Sequence, residues 1–294
     1  MTFVKRFIVC FCISFTLFIF LYFTYVLKVT IASRNIKALQ RQSINLARTM
    51  KPFPLSLYPQ NLFCPRFALW TLLIENVFTL WRIGKLQRDP IDIYFKSWGL
   101  LVKDIFYDKR NSVPNMIWLV VDNADVTINL FFFTTFSETQ EMLSLVPAFM
   151  KPIDNRNPHL KIHQTICSLY NNLDHPLPLS VPGMSYVIGA SAGCGLSVPF
   201  LYHFTSPVYV LHFGSLKLIN SALRLHLKDR ICFNVVNTSD IFTMFPNPNG
   251  TQPWCSLGEY IYFSSTSEGA WDAHMMTTYM EYLASRVITP RQWI

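Results

Sequence analysis

The sequence contains few charged residues, which make up 14% of its 294 positions against roughly a quarter in an average soluble protein. Hydrophobic residues account for 51%, and this share excludes an intrinsically disordered chain. The formal net charge of +8 indicates a mild preference for anionic partners. Because no run of five like charges is present, we expect no nucleic-acid partner.

The seven cysteines form no C-x-x-C pair and no Cys/His cluster with the spacing of a zinc site. We therefore expect no structural metal and no other cofactor. Cys10 and Cys12 lie in the apolar N-terminus, and an odd number remains, which favours buried free thiols over a closed disulfide framework. A single bridge, such as Cys64 to Cys255, is the alternative.

The N-terminus carries a run without charged residues, from Phe7 to Leu27. As a helix, at about 1.5 Å per residue, this run spans about 30 Å of hydrocarbon. Bulky residues continue directly into Lys28, where a cleaved signal peptide has small residues, so residues 1–28 are predicted to be an uncleaved single-pass membrane anchor. Basic residues after the span favour a cytoplasmic location for the rest of the chain, whereas glycosylation triplets at Asn237 and Asn249 favour the opposite orientation.

The rest of the chain divides into a tether and one folded domain. Residues 29–62 carry scattered basic residues and three prolines, which is typical of a tether. Residues 63–294 have the length of a single α/β domain. Within this domain, residues 63–106 have a helical pattern, and residues 137–160 lack a strand signal and are predicted to be a long surface excursion.

Six short apolar runs follow the helical region. They are MIWLVV (116–121), INLFFF (128–133), YVIG (186–189), VYVLHFG (208–214), CFNVV (232–236) and YIYF (260–263). Continuous rather than alternating apolar character is typical of strands that are buried on both faces. The pattern predicts an α/β fold with a mostly parallel central sheet flanked by helices.

Glycine is scarce, with ten in the chain, yet four of these lie between positions 183 and 195. The motif G-x-S-x-G at 189–193, centred on Ser191, follows a predicted strand and precedes a stretch able to form a helix, as a nucleophile elbow requires. Gly189 and Gly193 remove the Cβ atoms that would block close approach of strand and helix. The alternative is a glycine-rich turn with an incidental serine.

Two further residues are candidates for a catalytic triad. A serine hydroxyl becomes a strong nucleophile when a histidine takes its proton and a carboxylate orients that histidine. Asp240 follows the predicted strand 232–236, and His274 follows a polar loop after the strand 260–263. With Ser191 they stand in the order serine, acid, histidine of α/β hydrolases. Taken singly, Asp240 fits a turn cap and His274 a surface histidine equally well.

The oxyanion formed during acyl transfer needs hydrogen-bond donors from the residue after the nucleophile and from an earlier strand's loop. Ala192 is the candidate for the first donor. A threonine at the end of the strand 128–133 is the candidate for the second. The preference of threonine for strands is the alternative explanation for this position.

Several of these segments together resemble the class 3 lipase family of α/β hydrolases, the group that includes secreted fungal triacylglycerol lipases. The similar segments are GASAGCG at 189–195 (GHSLGGA in the family), FGSLKLIN at 213–220 (FGSPRVGN), VVNTSDIFTMFP at 235–246 (VVNxxDxVPxLP), GEYIYF at 258–263 (GxEvwy) and KIHQTICSLY at 161–170 (VHxGFxxxY). The resemblance covers roughly residues 116–284 and implies the α/β-hydrolase fold.

The resemblance also implies roles for individual residues. It implies Ser191 as nucleophile, Asp240 as its acid partner and His274 as base. Because FFFTTFS stands where the family has FRGTxS, the resemblance implies Thr135 as the oxyanion residue. By the same analogy the lid region corresponds to residues 137–160.

The departures from the family pattern include Ala190 for histidine, Ala192 for leucine, Cys194 for glycine and Thr134 for glycine. The expected function is a membrane-anchored serine acyl hydrolase, a lipase or esterase, that cleaves lipid carboxylic esters at a viral envelope or a host endomembrane. The alternative is a catalytically impaired lipase-like fold that serves as a membrane or viral-envelope interaction protein. No feature of the sequence identifies a protein partner.

Overall fold

The apolar runs of the sequence form strands in the computed structural model of the chain. In chain order the strands are β1 (Leu100–Asp108), β2 (Val113–Val121), β3 (Val126–Phe131), β4 (Met150–Pro152), β5 (Lys161–His163), β6 (Met184–Ala190), β7 (Val208–Phe213), β8 (Ile219–Asn220), β9 (Ile231–Asn237), β10 (Trp254–Cys255) and β11 (Glu259–Phe263). Seven strands form the central sheet in the order β1-β2-β3-β6-β7-β9-β11, and four form a small sheet in the order β10-β8-β5-β4.

Within the described residues, five α-helices and one 3₁₀ helix accompany the two sheets. The α-helices are α1 (Arg88–Lys96), α2 (Gln164–Asn171), α3 (Ala192–His203), α4 (Ser221–His226) and α5 (Ala270–His274), and the 3₁₀ helix is Ile241–Met244. Helix α3 packs on β6, the strand that precedes it, and on β3. The sequence places this helix directly after the predicted elbow.

The structure describes residues 88–96, 100–109, 113–121, 126–131, 149–174, 176–177, 180–181, 183–245, 254–265, 269–276, 278–279 and 281–282. All of them belong to one compact unit, Pro52–Ile294. Among these residues no helix combines the length and the hydropathy needed to cross a bilayer. The predicted anchor, residues 1–28, and the predicted tether, residues 29–62, lie outside the described residues.

The central sheet is mostly parallel, which confirms the prediction from the apolar runs. Five neighbouring strands run parallel, namely β3, β6, β7, β9 and β11. At one edge, β2 pairs antiparallel with β3, and β1 pairs antiparallel with β2. Every residue of β3 is buried. In β6, Val187 packs into the apolar cluster on the α3 face, and Tyr186 and Ile188 pack into the cluster on the other face. Burial on both faces explains why these strands have continuous apolar sequences.

The prediction of helix over residues 63–106 is right for α1 and wrong for β1, and residues 63–87 lie outside the described residues. Strand β1 has two irregularities in its pairing with β2, between Val102 and Asp104 and between Phe106 and Tyr107. Such bulges interrupt the two-residue alternation of side chains. The strand therefore lacks the period that distinguishes a strand from a helix in sequence.

The surface excursion predicted for residues 137–160 contains a short strand. Strand β4 pairs antiparallel with β5 at the edge of the small sheet. Its last residue, Pro152, is tolerated because an edge strand needs fewer backbone donors. Three residues are too few for an apolar pattern, so the sequence does not predict β4. Residues 137–148, the first half of the predicted lid region, lie outside the described residues.

The cysteines of the described residues are free thiols. Cys167, Cys194 and Cys232 are buried, and Cys255 is partly exposed. Burial raises the pKa of Cys194 to about 12, so this thiol is neutral and unreactive at physiological pH. The prediction of buried free thiols is confirmed for these three residues, and Cys255 is free of the alternative bridge.

We expect the substitution Phe200→Ala to lower the free energy of unfolding by about 3 to 5 kcal/mol. Phe200 is fully buried in α3, where its ring lies 4.7 Å from that of Phe204 and 5.3 Å from that of Phe131 on β3. Urea-induced unfolding followed by circular dichroism measures the change. Leu225→Ala is the control, since Leu225 is 66% exposed, and an equal loss of stability in both variants would contradict the packing described here.

Candidate active site

Ser191 occupies a strained turn between β6 and α3. Its backbone has φ +52° and ψ −126°, and no other non-glycine residue in the described part of the chain has a positive φ. The Ser191 N–H donates to the Phe213 carbonyl of β7 at 2.9 Å, which fixes the turn to the neighbouring strand. A serine held in such a conformation costs roughly 1 to 3 kcal/mol, a cost that concentrates at functional sites.

The glycine at the start of the elbow is required by backbone crowding. A Cβ atom on Gly189 would lie 2.8 Å from the Cys194 Cα and 2.9 Å from the Cys194 backbone nitrogen. Both neighbours are backbone atoms, which cannot move aside without displacing α3. Gly193, the second residue of α3, is buried, and its carbonyl carbon would lie 3.2 Å from the same Cβ. The close approach of strand and helix predicted from the glycine pattern is therefore present.

The structure brings together Ser191, His274 and Asp240. The Ser191 Oγ lies 2.8 Å from the His274 Nε2, and the His274 Nδ1 lies 2.7 Å from the Asp240 Oδ2. Because a carboxylate only accepts hydrogen bonds, Nδ1 carries the proton that is donated to Asp240. The Nε2 atom is then the acceptor for the Ser191 hydroxyl. This tautomer is the one that allows a histidine to remove a proton from serine.

The carboxylate of Asp240 is fully shielded from water, at 0% exposure, and each of its oxygens accepts hydrogen bonds. Oδ1 accepts from the Phe242 N–H at 3.0 Å, which caps the 3₁₀ helix. Oδ2 accepts from His274 and from the hydroxyl of Tyr279 at 2.7 Å. Asp240 therefore caps the 3₁₀ helix and accepts from His274 at once, because its two oxygens point to different donors.

His274 ends α5 and is held in place by the carboxyl end of β9. The Asn237 Nδ2 donates to the Ala273 carbonyl at 3.0 Å and to the Ser265 Oγ at 2.8 Å. The Phe242 ring lies against the imidazole, with 4.8 Å between ring centroids. The His274 side chain is 12% exposed, so it is a recessed residue with both nitrogens engaged rather than a surface histidine.

The burial of Asn237 also bears on the first glycosylation triplet. Its side chain is fully buried and donates to two partners, while its Oδ1 accepts from the Ser239 and Ser265 N–H groups. A glycan cannot be attached to an amide in this position without unfolding the site. Asn249, in the second triplet, lies outside the described residues.

Ala192 lies where the sequence predicts the first oxyanion donor. It is the first residue of α3, and an N–H group at this position has no acceptor within its own helix. The positive end of the helix dipole adds to the attraction for a negative oxygen at this point. Thr135 and Thr134, the candidates for the second donor, lie outside the described residues, so that assignment stays a prediction.

A second serine–histidine pair lies in the core, between Ser197 on α3 and His212 on β7. The Ser197 Oγ is 2.9 Å from the His212 Nε2, and the hydroxyl also donates to the Cys194 carbonyl at 2.7 Å. Both side chains are fully buried, and burial lowers the pKa of His212 to about 3. This neutral pair has no route to a substrate and provides an internal comparison for Ser191.

Other features of the described residues do not compete with this site. No group of three or more His, Cys, Asp or Glu side chains within them is arranged to hold a metal ion. A cavity of about 630 Å³ lies at the amino ends of β9 and β11, where Cys232 and Gly258 line it. Ser191 lies at the opposite, carboxyl edge of the sheet, so the cavity is separate from the hydrogen-bonded side chains of Ser191, His274 and Asp240.

Sequence reasoning missed two residues that hold the site together, Asn237 and Tyr279. Asn237 directly follows the predicted strand 232–236. A polar residue at that place in the sequence indicates a side chain at the carboxyl edge of the sheet. Tyr279 follows His274 by five positions in a helical stretch, where its sequence context indicates only an apolar helix face. The proximity of its hydroxyl to Asp240 depends on the folded chain.

No family model matches the sequence, and no curated protein matches it. Solved structures do match. Rhizomucor miehei triacylglyceride lipase aligns with a TM-score of 0.52 and 12% identity, over 67% of this chain and 78% of that protein. The propeptide complex of Rhizomucor miehei lipase, as a Ser/Ile deletion mutant, aligns with a TM-score of 0.52 and 14% identity, over 72% of this chain and 74% of that protein.

A third match is the nonglycosylated LIP2 lipase of Yarrowia lipolytica, with a TM-score of 0.44 and 14% identity. This match covers 56% of the chain and 66% of the LIP2 lipase, slightly less than two thirds of its length. At such low identity a structural match shows the fold alone. Together with the mostly parallel sheet, the Rhizomucor miehei structures show that the chain has a lipase-like α/β-hydrolase fold.

The strain at residue 191 predicts a stability difference between two variants that both lack the hydroxyl. We expect Ser191→Gly to unfold at higher urea concentration than Ser191→Ala, with a difference of about 1 kcal/mol, because glycine adopts this positive φ without a steric cost. Equilibrium unfolding of both variants measures the difference. An alanine variant as stable as the glycine variant would show that the turn at residue 191 is unstrained.

Proposed function

We propose that the chain is a serine carboxylic-ester hydrolase, a lipase or esterase that cleaves lipid esters. The observation that carries the proposal is the continuous line of hydrogen bonds from Ser191 through His274 to the buried Asp240. Ser191 and Asp240 follow the carboxyl ends of β6 and β9, and His274 ends α5, the helix after β11, in the chain order of α/β hydrolases.

In the first half of the reaction, Ser191 forms a covalent bond to the ester carbonyl carbon. As the Oγ attacks, its proton moves to the His274 Nε2, and the carbonyl oxygen becomes an oxyanion. The Ala192 N–H at the start of α3 binds that oxyanion, and Thr135 supplies the second donor in this proposal. His274 then gives the proton to the departing alcohol oxygen, and an acyl-enzyme remains.

In the second half, water replaces the alcohol. His274 takes a proton from the water as the oxygen attacks the acyl-enzyme carbonyl. Collapse of the second tetrahedral intermediate breaks the bond to the Ser191 Oγ, which recovers its proton from His274. The carboxylic acid leaves, and Asp240 remains a carboxylate throughout, because its task is to orient the imidazole and stabilise the imidazolium.

Lipid esters are the proposed substrates for two reasons. The solved structures with the same fold are lipases. In addition, Ile241 and Met244, directly after the acid residue, are each 58% exposed, and Phe242 between them packs on the His274 ring. An apolar border beside a polar reaction centre suits a substrate that has an ester group and a hydrocarbon chain.

A membrane location is part of the same proposal. Residues 1–28 act as the anchor and residues 29–62 as the tether that keeps the hydrolase domain beside an insoluble substrate, at a viral envelope or a host endomembrane. The support is the uncharged run from Phe7 to Leu27, long enough to span the hydrocarbon of a bilayer.

We expect the full chain to stay in the membrane pellet after extraction with alkaline carbonate, because such treatment releases peripheral proteins and leaves spanning segments in place. The measurement is the distribution of the chain between pellet and supernatant. A variant with two arginines in the middle of the run, at Phe18 and Leu21, is the matched control and should appear in the supernatant. Recovery of the unaltered chain in the supernatant would contradict the anchor.

A second candidate function is a catalytically impaired fold that serves as a membrane or viral-envelope interaction protein. It is favoured by three residues that replace the family's elbow and oxyanion residues, namely Ala190, Cys194 and Thr134. A folded wild-type chain that fails to react with a fluorophosphonate would favour this candidate over the hydrolase.

We expect Ser191→Ala to abolish both fluorophosphonate labelling and ester hydrolysis, because the acyl-enzyme of the proposed reaction forms on the Ser191 Oγ. The measurements are covalent labelling on a gel and release of acid from an ester series of increasing chain length. Loss should exceed about a thousandfold.

The matched control is Ser197→Ala, which removes a serine that also contacts a histidine but is fully buried. This variant should label like the wild type. Labelling that survives Ser191→Ala, or that disappears in Ser197→Ala with the fold intact, would overturn the assignment of Ser191.

A further inference from the structure

The hydroxyl of Tyr279 contacts the acid residue within the buried part of the site. It donates to the Asp240 Oδ2 at 2.7 Å, the same oxygen that accepts from the His274 Nδ1 at 2.7 Å. Tyr279 is fully buried. Two donors with equal distances to one oxygen share its electron density, so the strength of one bond depends on the other.

The phenol is held in this position from several directions. Its oxygen accepts from the Asn237 N–H at 3.2 Å, and its ring meets the Phe263 ring edge-on, with 5.1 Å between centroids and 85° between planes. Gly214 has φ +58°, and a Cβ there would lie 3.0 Å from the Tyr279 Oη and 3.2 Å from the Asp240 Oδ2. Because Gly214 has no side chain, the turn after β7 leaves room for the hydrogen bond from Tyr279 to Asp240.

The electrostatic surroundings keep the phenol neutral. Burial raises the pKa of Tyr279 well above its usual value, and the charge of Asp240 raises it further. The Cys194 thiol also lies near enough to affect the pKa of Tyr279, and Asp272 stands two residues before His274 on α5. A neutral phenol is a hydrogen-bond donor at every pH at which the site would work.

We propose that Tyr279 is a positioning residue of the triad, which fixes the Asp240 carboxylate and limits its attraction for the His274 imidazolium. This inference rests on the proposed hydrolase function. Tyr279 acts through Asp240 and makes no contact with a reacting atom.

The direction of the effect follows from the shared oxygen. When the tyrosine donor is removed, more negative charge stays on Oδ2, and the carboxylate binds a protonated imidazole more strongly. The imidazolium is then stabilised relative to the neutral imidazole, so the variant needs a higher pH to reach its full activity. The carboxylate also gains freedom to rotate, so the Ser191–His274 alignment is populated less often.

The test compares Tyr279→Phe with Tyr282→Phe in the full chain in detergent micelles, with p-nitrophenyl butyrate as substrate. Tyr282 is the matched control because its ring stacks on the same Phe263, with 4.0 Å between centroids. In Tyr279→Phe we expect kcat to fall about tenfold with KM within about twofold of wild type. The acidic limb of the pH–rate profile should move upward by roughly half a pH unit. Tyr282→Phe should match the wild type in all three quantities.

A ring-fluorinated tyrosine incorporated at position 279 gives the opposite perturbation, because fluorine makes the hydroxyl a stronger donor while the ring keeps its shape. The acidic limb should then move to lower pH. This variant decides the question if Tyr279→Phe fails to fold, as judged by circular dichroism. A structural role alone predicts no shift of opposite sign.

Wild-type kcat and pH profile in both Tyr279 variants, or the same changes in Tyr282→Phe, would overturn the role of Tyr279. Either result leaves the proposed function standing as long as the wild type hydrolyses the ester and Ser191→Ala does not. A wild type that fails to hydrolyse the ester or to label would instead overturn the proposed function.

Discussion

A carboxylate that is entirely removed from water, that of Asp240, is the constraint around which this site is arranged. A buried charge is tolerated only when its oxygens accept good hydrogen bonds. Here three donors from three segments serve it: a backbone N–H of the 3₁₀ helix, the imidazole at the end of α5 and the phenol of Tyr279. Satisfying this one charge fixes the position of the histidine, and the histidine in turn meets the strained serine. The geometry that supports ester hydrolysis is thus also the geometry that the buried charge requires.

The sheet explains why residues so distant in sequence meet. Parallel strands place their carboxyl ends along one edge, and ligands and reactive groups collect at that edge in open α/β sheets. Strand β6 presents Ser191, β9 presents Asp240, and β11 leads into the loop before His274. Strand β7, between β6 and β9, contributes through its following turn, where Gly214 leaves space for the Tyr279–Asp240 contact. The antiparallel strands β1 and β2 extend the other side of the sheet and carry no residue of the site.

How far the sequence predicts this structure depends on the range of the interactions involved. The buried parallel strands are predictable, because burial on both faces leaves a continuous apolar run, and the elbow is predictable because only glycine fits where Gly189 meets Cys194. Strand β1 is not, since its bulges remove the alternation that marks a strand. The contribution of Tyr279 is also invisible in sequence, because it arises from a contact between segments that no local pattern encodes. The same holds for the last turn of α5, where the Asn237 side chain donates to the Ala273 carbonyl.

The most direct test of the account is mass spectrometry of the full chain quenched during turnover of a slowly hydrolysed ester. If the hydrogen bonds from Asp240 through His274 make Ser191 a nucleophile, the chain gains the mass of one acyl group. The peptide that contains Ser191 then carries this group. Ester hydrolysis without an acyl adduct, or with the acyl group on another residue, would contradict the central claim that Asp240 and His274 activate this serine.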